Sequence, residues 1–131
     1  MSKFLFPSNL SIVKEASHNV LESLSDLPLD AAKLFDLKLS FEEAMINAIK
    51  YGNREQHDLN VEVEILKHPD SVEIIITDQG KGFDYQNRPD PTADHNLEKR
   101  SGRGIFLINQ LIDRVVYEKN GSCIHLIKNI G

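Results

Sequence analysis

The chain contains almost no cysteine and no long hydrophobic run, and both absences limit what it can be. Cys123 is the single cysteine among 131 residues, so no disulfide can form within the chain. Such cysteine usage is typical of a reducing compartment, and we expect a cytoplasmic protein. The apolar run Phe4-Leu5-Phe6 is too short for a secretion signal, and no later stretch could span a bilayer. We therefore expect no membrane partner.

The chain also lacks an excess of positive charge. It has 15 Lys and Arg against 20 Asp and Glu, a net charge of −5, which is a poor electrostatic fit for direct nucleic-acid binding. The apolar fraction of 40% and charged fraction of 27% fit a globular protein with a core. The length favours one domain over residues 1–131. The five histidines show no metal-ligand spacing, so we expect them on the surface, and we expect Cys123 to be a small buried hydrophobe.

Apolar periodicity predicts an α+β order of elements. The spacing indicates, in order, a short edge strand at 4–6, helices near 10–25 and 30–51, strands at 60–66 and 72–77, a helix at 104–113, and strands at 114–119 and 122–128. Asn120-Gly121 is a hairpin signal between the last two strands. The order predicts a mostly antiparallel sheet with helices packed on one face. The polar stretch 84–101 is unusually long for a connection and is typical of a functional lid.

The first candidate constellation lies on the second helix. Glu43 and Asn47 are one turn apart, on the face opposite the apolar stripe, so a carboxylate and an amide oxygen can address one ligand. An amide oxygen suits Mg²⁺, and a carboxylate can accept a proton from an attacking hydroxyl. The alternative is a solvated polar helix face.

The second constellation follows the central strand as Asp78-Gln79-Gly80-Lys81-Gly82. Two glycines allow the backbone to approach a flat ligand, and the Asp78 carboxylate can accept the amino N–H of an adenine. The alternative is an ordinary glycine turn.

The third constellation, Ser101-Gly102-Arg103-Gly104, opens the next helix. Converging backbone N–H groups at a helix start favour a phosphate. The alternative is a capping turn with Ser101 as the cap.

The three constellations in this order resemble the histidine-kinase-like ATPase superfamily. The resemblance runs from about Phe4 to Lys128, and the short chain with the segment from Phe83 to Gly104 is similar to the anti-sigma factor serine kinases. It implies a two-layer α/β sandwich with a mixed, mostly antiparallel sheet. It also implies ATP and Mg²⁺ as cofactors, with a sigma factor and a STAS-type anti-anti-sigma protein as partners. Homodimerisation is usual for that family.

The resemblance further implies a role for each site residue. Glu43 would be the general base, Asn47 the Mg²⁺ ligand and Asp78 the reader of the adenine amino group. Residues 84–101 would form the ATP lid. The remaining ATP-binding positions would be Gly80, Gly82, Arg100, Gly102, Arg103, Gly104 and Ser122.

Two positions depart from the family pattern. Tyr51 stands where many relatives have histidine, and Ser122 stands where threonine is frequent, although serine keeps the hydroxyl. The functional hypothesis is an ATP-dependent protein serine kinase that is also an anti-sigma factor. The alternative is a non-catalytic module that binds ATP or a partner. The catalytic domain of a sensor histidine kinase ranks lower, because no dimerisation helix with a phosphoacceptor histidine precedes the first helix.

Overall fold

A computed structural model gives the fold and describes residues 2–56, 58–80 and 106–130. Its strands are β1 Ser2–Pro7, β2 Asn60–Lys67, β3 Ser71–Thr77, β4 Arg114–Glu118 and β5 Cys123–Asn129. Its helices are α1 Val13–Ser23, preceded by a 3-10 turn at Leu10–Ile12, and α2 Ala31–Asn47, continued by a π-turn at Ala48–Gly52. Residues 106–111 are helical and are called α3. A 3-10 turn at Lys119–Gly121 joins β4 to β5.

The strands form one five-stranded sheet in the order β1-β2-β3-β5-β4. Each described pairing is antiparallel, with Ile65 opposite Ile74 and Ile76 opposite Ile124 along the centre. The predicted α+β fold is therefore confirmed, with β1 at an edge and β3 in the middle. The hairpin between β4 and β5 is longer than a two-residue turn, and its backbone has positive φ at Lys119 and Gly121.

Polar side chains cap α2 and the 3-10 turn that precedes α1. Asp30 precedes α2, and its carboxylate accepts a hydrogen bond from the Lys33 N–H at 2.8 Å. Asn9 caps the 3-10 turn before α1 by accepting from the Ser11 N–H at 3.0 Å. Ser8, the residue before Asn9, does not cap the turn. It is fully buried, and its hydroxyl donates to the Leu59 carbonyl at 2.8 Å.

The core lies between the helices and one face of the sheet. Side chains alternate along β2 and β3 between buried and half-buried positions, as in a sheet with one covered face. The largest fully buried side chains are Phe41, Leu24, Leu37, Met45, Ile49, Ile65, Ile74, Ile76, Ile108 and Leu126. The core positions α2 directly against β3 and β5.

A buried lysine ties the covered face to two helices. Lys128, 8% exposed, donates from Nζ to the Leu111 carbonyl at 2.7 Å and to Asp36 Oδ2 at 3.3 Å. The bonds join β5 to the end of α3 and to the first half of α2. Among the described residues, no helix is long and apolar enough to cross a membrane.

Candidate functional site

A pocket lies where the end of α2 meets the end of β3 and the start of β5. It contains about 320 Å³ of empty space, part of it open to solvent. Its lining residues are Ala44, Asn47, Ala48, Ile76, Asp78, Tyr117, Gly121, Ser122 and Ile124. The walls are mostly apolar and carry a few polar groups, which is the usual composition of a small-molecule site.

Asp78 is the buried charged group of this pocket. It follows β3 directly and is 8% exposed. Its N–H donates to the Ser122 carbonyl at 2.8 Å, and its Oδ1 accepts from the Gly80 N–H at 2.9 Å. Burial raises the pKa of the Asp78 carboxyl to about 6, although the Gly80 hydrogen bond acts in the opposite direction. The carboxylate is therefore poorly solvated and is held in place by the Gly80 hydrogen bond. Burying it in ionised form at the pocket lowers the free energy of unfolding.

Two glycines are required by close packing around the Asp78 carboxyl. A Cβ at position 52 would overlap the Asp78 carboxylate, and a Cβ at position 80 would overlap the Gly52 carbonyl. The last turn of the helix and the segment after β3 can approach this closely only without side chains there. Gly80 was predicted from the sequence as a site residue, whereas Gly52 was not.

Asn53 connects the three segments that hold the site. It is 1% exposed, and its Nδ2 donates to Ser8 Oγ at 2.6 Å and to the Asn60 carbonyl at 3.0 Å. Its Oδ1 accepts from the Gln79 N–H at 2.8 Å, directly after Asp78. Gln79 Oε1 in turn accepts from the Asn60 N–H at 2.6 Å. Sequence reasoning missed this network, since only the tertiary fold brings its members together.

The end of α2 differs from a regular α-helix. The Asn53 N–H donates to the Ala48 carbonyl at 2.7 Å, a bond across five residues, and Arg54 and Glu55 have positive φ. A π-turn of this kind is frequently found at functional sites. It places Gly52 against the Asp78 carboxyl and Asn53 behind Gln79.

Asn47 and Glu43 are in different environments. Asn47 is 8% exposed and lines the pocket, so the alternative of a solvated helix face does not apply to it. Glu43 is half-buried one turn earlier and is not among the residues that line the pocket. Asn47 therefore lies at the pocket wall, whereas Glu43 lies one helical turn earlier and outside the lining.

Ser122 and Tyr117 line the pocket from the β4–β5 hairpin. The Ser122 hydroxyl donates to the Lys119 carbonyl at 2.8 Å, which leaves its oxygen free to accept from a ligand. Ser122 was predicted from the sequence and Tyr117 was not. The signal that could have found Tyr117 is its register opposite Ile124, another pocket residue.

The structure brings Asn47, Asp78 and Ser122 to one pocket, with Gly80 beside the Asp78 carboxyl. The predicted lid 84–101 and the positions Gly82, Arg100, Gly102, Arg103 and Gly104 lie outside the described residues. The roles of all these residues stay predictions. Chemically, the pocket can hold a flat heterocycle between apolar walls, with the Asp78 carboxylate accepting from an amino group. The Asn47 amide oxygen fits a hard cation such as Mg²⁺.

Comparison with known proteins supports the same identification. The family model of the histidine kinase-like ATPase domain matches residues 6–128. Serine-protein kinases RsbW from Staphylococcus aureus strains bovine RF122 / ET3-1, MRSA252 and JH9 are each 34% identical over 105 residues. The match covers 72% of this chain and 65% of each relative, so it spans less than two thirds of their length. The resemblance inferred from the three motifs is confirmed, and the chain belongs to the histidine kinase-like ATPase domain family.

Proposed function

We propose that this protein is an ATP-dependent protein serine kinase that acts as an anti-sigma factor in the bacterial cytoplasm. It would bind a sigma factor and phosphorylate a serine of a STAS-type anti-anti-sigma protein. The observation that carries the proposal is the pocket around Asp78, in which a desolvated carboxyl, Asn47 and Ser122 face one space. The printed name of the relatives, serine-protein kinase RsbW, supports the choice of serine as the acceptor.

Nucleotide recognition would depend on Asp78. The carboxylate would accept the exocyclic amino N–H of adenine, while Ile76, Ile124 and Tyr117 would enclose the base. Guanine has a carbonyl oxygen at the corresponding position and would face the carboxylate with a second acceptor. The pocket therefore favours ATP over GTP.

Phosphoryl transfer would depend on the two polar residues of α2. Asn47 would hold Mg²⁺ through its amide oxygen, and the bound ion would neutralise charge on the phosphate oxygens. Glu43 is half-buried one turn earlier on the same helix, and a serine from a partner would approach it there. It would accept the proton of that hydroxyl as the oxygen attacks phosphorus. The phosphate contacts of Gly102, Arg103, Gly104 and Arg100 belong to the same proposal.

The test is transfer of labelled γ-phosphate from ATP with Mg²⁺ to the candidate antagonist. We expect Glu43→Ala to abolish transfer and to leave ATP affinity within about threefold of wild type, because a general base does not anchor the nucleotide. Glu42→Ala is the matched control: Glu42 neighbours Glu43 on α2 and lies 3.9 Å from Lys38. The control should transfer phosphate at the wild-type rate.

Other results would select among the hypotheses. Transfer by Glu43→Ala at the wild-type rate would exclude Glu43 as the base. ATP binding without transfer to any antagonist, together with sigma-factor binding, would favour the non-catalytic module. Acid-labile phosphohistidine on a partner would favour a sensor-kinase domain.

A further inference from the structure

A second group of reactive side chains lies on the sheet face opposite the helices. Glu118 ends β4, and Cys123 and His125 lie on β5, paired with β4 in the antiparallel hairpin. One ligand atom from each, a carboxylate oxygen, a thiol sulfur and an imidazole nitrogen, lie within 4.8 Å of one another. We call these three residues the hairpin cluster. Sequence spacing gave no metal signal here, because the hairpin register, rather than a short motif, brings Glu118 beside the other two.

We propose that the hairpin cluster binds a divalent transition-metal ion, Zn²⁺ above all, through Glu118, Cys123 Sγ and His125 Nε2. Thiolate, imidazole and carboxylate are the three side-chain ligands that Zn²⁺ uses in proteins. Three protein ligands leave one position of a tetrahedral ion for water. The site is separate from the nucleotide pocket and does not depend on the proposed kinase activity.

The distances fit a tetrahedral ion. With Zn–S near 2.3 Å and Zn–N near 2.0–2.1 Å, tetrahedral geometry separates sulfur from nitrogen by about 3.6 Å. Cys123 Sγ and His125 Nε2 are 3.7 Å apart. A Glu118 carboxylate oxygen lies against the same nitrogen, so a small side-chain rotation would admit the ion between them. The Glu118 side chain is 55% exposed and therefore free to rotate.

The residues around the hairpin cluster hold its ligands as a metal site requires. The other ring nitrogen, His125 Nδ1, lies 2.6 Å from Glu73 Oε2, and Glu73 Oε1 lies 2.8 Å from His68 Nε2. A carboxylate on the second nitrogen of a metal-binding histidine fixes the ring and raises its basicity. The Thr77 hydroxyl donates to Cys123 Sγ at 3.4 Å, and such a bond stabilises a thiolate. The hairpin cluster thus has an ordered supporting shell.

Charge also favours a cation. Glu73 and Glu118 place two carboxylates around His125, and a bound thiolate would add a third negative charge. A bound dication would neutralise most of this negative charge. Cys123 is 4% exposed, so its sulfur is shielded from water. Among the described residues next to the hairpin cluster in sequence, Lys119 carries a positive charge, and it follows Glu118 in the turn.

The hairpin cluster lies directly behind the nucleotide pocket. Cys123 follows the pocket residue Ser122, and Thr77 precedes the pocket residue Asp78. A bound ion would therefore hold the end of β4 against the start of β5, beside these pocket residues. We expect it to raise thermal stability as any ligand of the folded state does.

The test is a Co²⁺ titration of the full chain after removal of metals with a chelator, with reductant and without nucleotide. We expect one Co²⁺ per chain, with intense visible bands of a tetrahedral ion and a near-ultraviolet thiolate-to-cobalt band. Zn²⁺ should displace Co²⁺, remove these bands and raise the melting temperature.

Variants identify the ligands. Cys123→Ser should abolish the thiolate band, and Glu118→Gln, at an exposed side chain, should weaken binding without affecting folding. Glu73→Gln should lower Zn²⁺ affinity by about 10–100-fold through His125. His18→Gln is the control, since His18 pairs with Glu22 at 3.2 Å on the surface of α1. It should bind like wild type.

Two results would overturn the proposal. One is a Co²⁺ spectrum without a thiolate band in the folded wild-type protein. The other is equal metal affinity in wild type, Glu118→Gln and Glu73→Gln, which would indicate adventitious surface binding only. Neither result bears on ATP binding, so failure here leaves the proposed function intact.

Discussion

At the scale of one residue, burial of the Asp78 carboxyl lowers the stability of this fold at neutral pH. The carboxyl is buried against Gly52, and burial raises its pKa to about 6 from an ordinary value of 3.8. Between pH 3.8 and pH 6, the Asp78 carboxyl therefore binds a proton more tightly in the folded protein than in the unfolded chain. Ionisation of the buried carboxyl therefore lowers the free energy of unfolding. A hydrogen-bond donor on a ligand can offset this loss.

We expect Asp78→Asn to stabilise the protein above pH 6. Below pH 3.8 the carboxyl is protonated in both states, so the ionisation cost is absent there. It grows as pH rises and is complete above pH 6. The difference in pKa corresponds to about 3 kcal/mol, and hydration through the open pocket reduces it to about 1–2 kcal/mol. Denaturant unfolding of both proteins at pH 8, 6 and 4.5 measures it.

The asparagine variant is a suitable probe because its amide oxygen can still accept from the Gly80 N–H. Its stability advantage should be nearly constant above about pH 7 and should shrink as the pH falls from 6 to 4.5. An equal free energy of unfolding at pH 8 would show that the wild-type carboxylate is well solvated.

The junction between α2 and the segment after β3 is the element on which the site depends. The π-turn Ala48–Gly52 ends the helix, and Asn53 then bonds to the Ser8 hydroxyl, the Asn60 carbonyl and the Gln79 N–H. One buried amide therefore positions the end of β1, the start of β2 and the backbone beside Asp78.

We expect Asn53→Ala to lower the free energy of unfolding by about 2–4 kcal/mol. It removes three hydrogen bonds at once and leaves buried groups without partners, each of which costs about 1–3 kcal/mol when unrelieved. ATP affinity should fall as well, because the segment carrying Asp78 loses its support. Urea unfolding and ATP titration measure the two effects.

Asn9→Ala is the matched control for this change. Asn9 is exposed and caps the 3-10 turn before α1, so its loss should cost about 1 kcal/mol or less. ATP affinity should not change. Similar losses in the two variants would mean that the Asn53 network contributes no more than an ordinary cap.

At the scale of the whole molecule, the two faces of the sheet carry different groups of polar side chains. Its covered face packs against the helices and ends in the pocket, while its open face carries the hairpin cluster with Glu73 and His68. His125, expected on the surface, is half-buried in that cluster. The pocket is formed by the helix layer and the sheet together, so its occupancy stabilises the fold as a unit.

We expect ATP with Mg²⁺ to raise the melting temperature of the full chain. At 100 times its Kd, a ligand of the folded state contributes about 2.7 kcal/mol, or about 10 °C for a chain of this size. Thermal unfolding with increasing ATP measures the effect, and GTP at equal concentration should give a smaller shift. Asp78→Asn should respond weakly to ATP, even though it is more stable without it.

A melting temperature that does not change at millimolar ATP would contradict nucleotide binding. It would direct attention to the partner-binding alternative. An equal response to ATP and GTP would contradict the role of Asp78 in base recognition.

The sequence by itself determined the elements, because each depends on local signals. The period of apolar residues defined α1, α2 and the strands. Three short motifs in order were enough to indicate the family that the comparisons confirm. Asn47 and Asp78 could be selected because their residue types suit the chemistry at recognisable positions, and Ser122 because it stands at a position of the resembling family's pattern.

The tertiary structure alone decided how these residues are surrounded. Segments distant in sequence together produce three features of the site. These are the burial that raises the pKa of Asp78, the contact of Gly52 with the Asp78 carboxyl and the three hydrogen bonds of Asn53. The hairpin cluster likewise depends on strand register and on Glu73 from the neighbouring strand. Periodicity reports which side of an element is apolar. Desolvation and contact between elements exist only once the chain has packed.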